Sequence, residues 1–118
     1  MNIPYLHSRG ITGKGVKVAV IDSRVSSIPN KLTIAKTVSF CTNDNSDVHG
    51  YNVASIIGSK EFGVAPDSDI YSLEVGDTTG EDTMETVISA IDWCIQNNVD
   101  IINLSMGFMT YYEPLKNL

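Results

Sequence analysis

The sequence predicts an α/β domain with a parallel sheet and flanking helices. Short runs rich in β-branched residues alternate with segments of helical periodicity, and glycine, proline and asparagine separate them. Of the 118 residues, 42% are hydrophobic and 19% are charged, which is typical of a folded globular protein. We therefore expect residues 1–118 to form a single domain around one hydrophobic core.

Four segments are predicted strands, because each is short, apolar and bounded by turn-forming residues. They are residues 16–21, 32–40, 70–75 and 99–104. Asp22 ends the first strand and Ser105 follows the last. The carboxyl ends of parallel strands meet at one edge of a sheet, where the sites of α/β proteins form. Both residues are therefore placed where a site is expected.

Two segments have the spacing of amphipathic helices. Residues 49–57 repeat apolar side chains at helical intervals, and Gly58 is a plausible stop. Thr83 can cap a second helix that ends at Asn97 and Asn98, and its repeating apolar residues are Val87, Ile88, Ile91 and Ile95. The polar segments 26–30, 42–48 and 76–80 are predicted loops.

Charge, hydropathy and cysteine content exclude several classes of function. Acidic residues outnumber basic ones by 14 to 8, and no basic cluster could neutralise a run of phosphates, so we expect no nucleic-acid partner. No apolar stretch approaches the roughly 20 residues that cross a bilayer, and residues 1–15 lack the apolar core of a secretory signal. We therefore expect a cytoplasmic protein with no membrane partner. Cys41 and Cys94 fit no zinc or disulfide pattern, which predicts reduced thiols.

Asp22 and His49 indicate a function only when they are considered together. Taken alone, Asp22 is most simply a turn or helix cap, and His49 an ordinary exposed residue at the start of a helix. A histidine that acts as a general base, however, needs a carboxylate on its other ring nitrogen to fix the tautomer and stabilise the imidazolium. Two of the three groups of a hydrolytic triad are therefore present.

Four motifs follow one another between residues 12 and 107. Residues 12–23 read Thr-Gly-Lys-Gly-Val-Lys-Val-Ala-Val-Ile-Asp-Ser, and residues 49–55 read His-Gly-Tyr-Asn-Val-Ala-Ser. Residues 63–66 read Gly-Val-Ala-Pro, and residues 97–107 read Asn-Asn-Val-Asp-Ile-Ile-Asn-Leu-Ser-Met-Gly. In content and order they resemble the amino-terminal half of the subtilisin-like serine proteases.

The resemblance implies a truncated subtilisin-like fold and a peptidase function. It makes Asp22 and His49 the catalytic aspartate and histidine, and it places Ser105, Met106 and Gly107 on the substrate-binding strand. The family's nucleophilic serine lies in a Gly-Thr-Ser-Met-Ala segment, and neither it nor the oxyanion asparagine has a match in residues 1–118. We therefore expect a chain that takes part in hydrolysis of a peptide or protein substrate but is inactive alone.

The resemblance also bears on partners and cofactors. The strand at residues 99–104 would lie at a sheet edge without a neighbour, which predicts a homo-oligomer or a complementing polypeptide. Residues 59–62 are shorter than the calcium-binding loop of many relatives, so we expect no metal and no other cofactor. The polar residues 43–47 lack the ligand pattern of an EF-hand.

Three residues depart from the family motifs. Arg24 replaces a glycine, Tyr51 a threonine and Asn52 a histidine. Tyr51 is large enough to crowd the cleft, and Arg24 is close enough in sequence to pair with Asp22. These changes keep a second function open, a non-catalytic pseudoprotease that binds peptide or regulates a protease.

Overall fold

A computed structural model describes residues 1–25, 32–41, 48–76 and 81–105, and of residues 81–83 the backbone alone. Its elements in chain order are α1 (Ile3–Ser8), β1 (Lys17–Asp22), β2 (Ile34–Ser39), α2 (His49–Gly58), β3 (Asp69–Glu74), α3 (Glu81–Gln96) and β4 (Ile101–Leu104). All four predicted strands and both predicted helices are present. The predicted loops at 26–30, 42–47 and 77–80, and the tail from residue 106, lie outside the described residues.

The four strands form one parallel sheet in the order β2-β3-β1-β4. β1 is the most apolar strand and lies between β3 and β4, because its Val-Ala-Val-Ile run is suited to burial on both faces. The register pairs Asp22 with Glu74 and Ile21 with Leu104. The carboxyl ends of β1, β3 and β4 consequently meet at one edge, as predicted.

One helix covers each face of the sheet. Side chains alternate along β1, so Val18 and Val20 face α2, whereas Ala19 and Ile21 face α3. The core on the α2 side contains Val18, Val20, Val25, Ala54 and Ile70. The core on the α3 side contains Ala19, Ile21, Leu73, Val75, Val87, Ala90 and Cys94. This three-layer arrangement confirms the predicted α/β class.

The starts of α1 and α3 differ from the sequence prediction. α1 was not predicted, although the Asn2 side chain caps it by accepting a hydrogen bond from the Tyr5 amide at 3.3 Å and Pro4 lies in its first turn. α3 begins at Glu81, two residues before the predicted cap, so Thr83 lies inside the helix.

Both cysteines are free thiols, as predicted, and burial raises the pKa of Cys94 to about 11. In the part of the chain that the structure describes, no helix has the length and apolar character needed to cross a membrane.

β4 is only partly covered. Among the described residues it pairs with β1 alone. Its apolar side chains remain accessible, with Ile101 52%, Ile102 37% and Leu104 36% exposed. The register with β1 places Ile101 on the α2 face and Ile102 and Leu104 on the α3 face. Both faces of this strand therefore carry exposed apolar surface.

Candidate active site

The structure brings Asp22 and His49 into direct contact. β1 delivers Asp22 to its carboxyl end, and α2 begins at His49. The Nδ1 atom of His49 lies 2.8 Å from one carboxylate oxygen of Asp22 and 2.9 Å from the other. Because an ionised carboxylate only accepts hydrogen bonds, Nδ1 is the donor. In the neutral ring, Nε2 is then the basic nitrogen.

The two side chains differ in their exposure to solvent. The Asp22 side chain is 4% exposed and that of His49 is 51% exposed. The carboxylate also accepts a hydrogen bond from the Ser23 amide at 2.7 Å. A buried, hydrogen-bonded carboxylate therefore orients an imidazole that solvent can reach.

A glycine allows the start of α2 to approach the end of β1. The Gly50 amide donates to Ser23 Oγ at 2.9 Å. A Cβ atom at position 50 would lie 3.0 Å from the carbonyl carbon of Ser23, and nearer still to its oxygen. Any larger residue would separate the two elements, so the contact between His49 and Asp22 depends on Gly50.

The residues after Asp22 are anchored one by one. Ser23 Oγ accepts the hydrogen bond from the Gly50 amide of α2. Arg24 Nε donates to Glu74 Oε2 at 3.1 Å, and the Val25 amide donates to Ser72 Oγ at 3.3 Å. These contacts tie the segment to both α2 and β3. The backbone that carries Asp22 is consequently fixed on two sides.

The structure pairs Arg24 with Glu74, not with Asp22 as the sequence suggested. Glu74 ends β3, is 1% exposed, and has one carboxylate oxygen, Oε1, without a hydrogen-bond partner. Sequence reasoning did not single out this residue. The available signal was the one charged residue of the predicted strand 70–75, which lies between Leu73 and Val75, because a buried charge normally has a partner.

Ser105 lies at the same edge of the sheet. It directly follows β4, whose Leu104 pairs with Ile21, and its Oγ accepts a hydrogen bond from Asn103 Nδ2 at 2.7 Å. Met106 and Gly107 lie outside the described residues. The predicted substrate-binding segment is therefore located at its first residue only.

The other two departures from the family motifs lie on α2. Tyr51 is partly buried and packs against the core on the α2 side, whereas Asn52 is exposed. No cluster of three or more histidine, cysteine or acidic side chains able to hold a metal ion occurs within the described ranges. Asp44 and Asp47 lie outside them.

Comparisons with known proteins agree with this geometry. The family model of the subtilase family matches residues 13–114. Subtilisin from Bacillus pumilus and subtilisin E from Bacillus subtilis (strain 168) are each 38% identical over 98% of this chain. The chain spans 46% and 33% of their respective lengths.

Solved structures give the same assignment. The crystal structure of MycP1 with its N-terminal propeptide removed superposes with a TM-score of 0.65 at 27% identity, over 87% of this chain and 36% of that one. MycP1 from Mycobacterium smegmatis shares the fold, with a TM-score of 0.58 at 22% identity over 85% of this chain and 34% of that one. The sheet, the contact between Asp22 and His49 and these matches together show that the chain belongs to the subtilase family and forms part of a subtilisin-like peptidase domain.

Proposed function

We propose that residues 1–118 supply the acid and base groups of a serine peptidase that hydrolyses peptide bonds in peptide or protein substrates. The observation that carries the proposal is the hydrogen bond from His49 Nδ1 to the buried Asp22 carboxylate at 2.8 Å. These residues are 27 positions apart and lie on different elements, so the fold must hold them together.

In this role His49 moves protons and Asp22 orients it. His49 Nε2 takes the proton of a serine hydroxyl as that oxygen attacks the substrate carbonyl, and returns it to the leaving amine. The imidazolium formed between these steps is stabilised by the carboxylate on Nδ1. Burial keeps Asp22 away from competing water, which strengthens the interaction.

The proposed nucleophile comes from polypeptide outside residues 1–118, since no Gly-Thr-Ser-Met-Ala segment occurs within them. We place that polypeptide against β4. The strand carries exposed apolar side chains on both faces, and parallel strands are normally covered on both faces. The curated relatives are also two to three times longer than the chain that matches them.

Active-site labelling tests the proposed chemistry. The chain is incubated with a fluorophosphonate probe, alone and after co-expression with the serine-containing polypeptide encoded beside or after it. We expect labelling of the added serine only when residues 1–118 are present, and its loss in His49→Ala. Asp22→Asn should lower the labelling rate by up to about four orders of magnitude, because the wrong tautomer is then favoured. Labelling of a serine within residues 1–118 alone, or labelling that survives His49→Ala, would refute the proposal.

A second experiment tests the proposed surface on β4. Leu104→Lys places a charge on the exposed apolar strand and should abolish association with the added polypeptide, as measured by sedimentation. Ile95→Lys is the matched control, because Ile95 is 59% exposed on α3 and should tolerate the charge. Self-association of the chain through the same strand would show a homo-oligomer instead. The assignment of this surface is contradicted if the chain is a stable monomer by itself and Leu104→Lys still associates with the added polypeptide.

The motif departures at Arg24, Tyr51 and Asn52 favour one second candidate, a non-catalytic module that binds peptide along the segment beginning at Ser105. This function needs no proton transfer. It predicts that His49→Ala leaves peptide binding unchanged, and that no added polypeptide produces hydrolysis. The labelling experiment therefore separates the two candidates.

A further inference from the structure

We infer that Arg24 and Glu74 are positioning residues that balance charge around the Asp22–His49 pair and thereby set the protonation of His49. The inference rests on the proposed function for the role of His49, although its test requires no catalysis. Its starting point is the ion pair between Arg24 Nε and Glu74 Oε2 at 3.1 Å, since Glu74 is the register partner of Asp22.

The sheet places two buried carboxylates side by side. Asp22 and Glu74 are register partners on the neighbouring parallel strands β1 and β3, so their side chains project from the same face. Asp22 is 3% exposed and Glu74 is 1% exposed. Adjacent strands lie about 4.8 Å apart, so two buried carboxylates on register partners are close neighbours, and like charges in that position disfavour each other. Such a pair requires compensating positive charge.

Each carboxylate has one basic residue bonded to it in the described part of the chain. His49 lies on Asp22, and Arg24 lies on Glu74. Arg24 is bonded to the register partner of Asp22, so its guanidinium belongs to the same group of charges. It is permanently protonated, whereas the imidazole titrates near neutral pH. His49 is therefore the member of this group that responds to pH in the physiological range.

Arg24 cancels the charge that Glu74 adds. With His49 neutral, the four groups together carry one negative charge, and with His49 protonated they carry none. These are the values of an isolated aspartate–histidine pair. Without Arg24 the surplus negative charge would hold the proton on His49, and without Glu74 the surplus positive charge would expel it. A base must lose and regain its proton near the working pH, so the balance matters for its function.

The described elements packed around His49 contribute no other ionised group to this set. α2 itself carries only Tyr51 as a further titratable residue. On β1 and the segment after it the charged residues at this end are Asp22 and Arg24, and on β3 the charged residue is Glu74. Each of these charges can be removed by a single substitution.

The test is an NMR titration of the two histidines in the full 118-residue chain. Glu74→Gln should lower the titration midpoint of His49 by up to about one pH unit, because it removes a buried negative charge from the register partner of Asp22. Arg24→Gln should raise the midpoint by a similar amount. The double variant Arg24→Gln/Glu74→Gln should return it to within about 0.3 pH units of the unmodified chain. A purely structural role would not produce shifts of opposite sign that cancel.

Several controls are built into the same chain. Arg24→Lys keeps the charge and should leave the midpoint nearly unchanged. His7 bonds to the Val64 carbonyl oxygen, away from the carboxyl ends of the strands, and should titrate identically in every variant. If Glu74→Gln loses its native spectrum, the contrast between Arg24→Gln and Arg24→Lys still decides the sign of the effect.

Asp22→Asn separates this inference from the proposed function. Removing the contacting carboxylate should lower the midpoint of His49. If it does so while the Arg24 and Glu74 variants leave the midpoint unchanged, or move it in one common direction, charge balancing is wrong and the proposed role of His49 survives. If Asp22→Asn has no effect, the pairing that underlies both proposals is absent from the protein in solution.

Discussion

Gly50→Ala should destabilise the protein although it places a better helix former in a helix. Alanine is favoured over glycine by about 1 kcal/mol in a helix interior. At position 50, however, the added methyl would overlap the carbonyl oxygen of Ser23 and would also lie 3.0 Å from its carbonyl carbon. The carbon contact alone is about 0.5 Å inside the optimal separation of roughly 3.5 Å, so the two backbones must move apart by more than about 0.5 Å. Overpacking of this kind costs about 1–3 kcal/mol, so the net effect should be a loss of up to about 2 kcal/mol.

The same substitution should also disturb the candidate site. If α2 moves by more than about 0.5 Å to relieve these contacts, the hydrogen bond from His49 to Asp22 lengthens from 2.8 Å to beyond about 3.3 Å. That exceeds the usual limit of about 3.2 Å for an N–H···O bond. The titration midpoint of His49 should consequently fall towards that of an unpaired histidine.

Urea denaturation and the histidine titration measure both effects. Asn52→Ala is the matched control, because Asn52 is exposed on the same helix and the change should stabilise it by about 0.5 kcal/mol. The reasoning fails if Gly50→Ala is as stable as Asn52→Ala and leaves the midpoint of His49 in place.

Three further predictions concern the rest of the fold. Leu73→Ala should lower the free energy of unfolding in urea by about 2–5 kcal/mol, because Leu73 is fully buried; a loss below 1 kcal/mol would contradict its place in the core. At pH 8 an aromatic disulfide reagent should modify Cys41 in the native chain and Cys94 only after unfolding, since burial raises the pKa of Cys94 to about 11, and rapid modification of both would overturn this. The pKa of Asp67 is lowered from 3.8, first by a hydrogen bond with the Thr12 side chain and then by Lys60, so the Asp67 carboxylate should stabilise the fold fully above about pH 5 and lose that effect as acid protonates it. The difference in unfolding free energy between the unmodified chain and Asp67→Asn should therefore shrink between about pH 5 and pH 3.

The regular elements were predictable because their signals are local. The β-branched run in β1 and the helical spacing of α3 each depend on neighbouring residues, and both predictions were confirmed. The position of β1 between β3 and β4 depends instead on pairing between strands that are distant in sequence. α1 is only six residues long, too short to show a helical repeat, and its signal lay in the capping residue Asn2.

The site was predictable only in part. Asp22 and His49 carry recognisable family motifs, so their pairing followed from sequence. The partner of Arg24 did not, because Glu74 is 50 residues away and reaches it only through the register of β1 with β3. Sequence proximity favoured Asp22 as the partner, but His49 and the Ser23 amide already occupy that carboxylate. Long-range charge compensation is therefore visible only after the strands have been placed.

The contacts of the candidate site divide it into a self-contained part and a dependent part. The Asp22–His49 pair is held by residues on β1, α2 and β3, all within the described chain. Ser105 instead extends from β4, which has one strand neighbour among the described residues and apolar side chains exposed on both faces. Covering β4 should therefore bury Ile101, Ile102 and Leu104 while leaving the titration of His49 nearly unchanged. A large change in that titration on association would show that the two parts are coupled, in which case the charge balance around His49 would also depend on the partner.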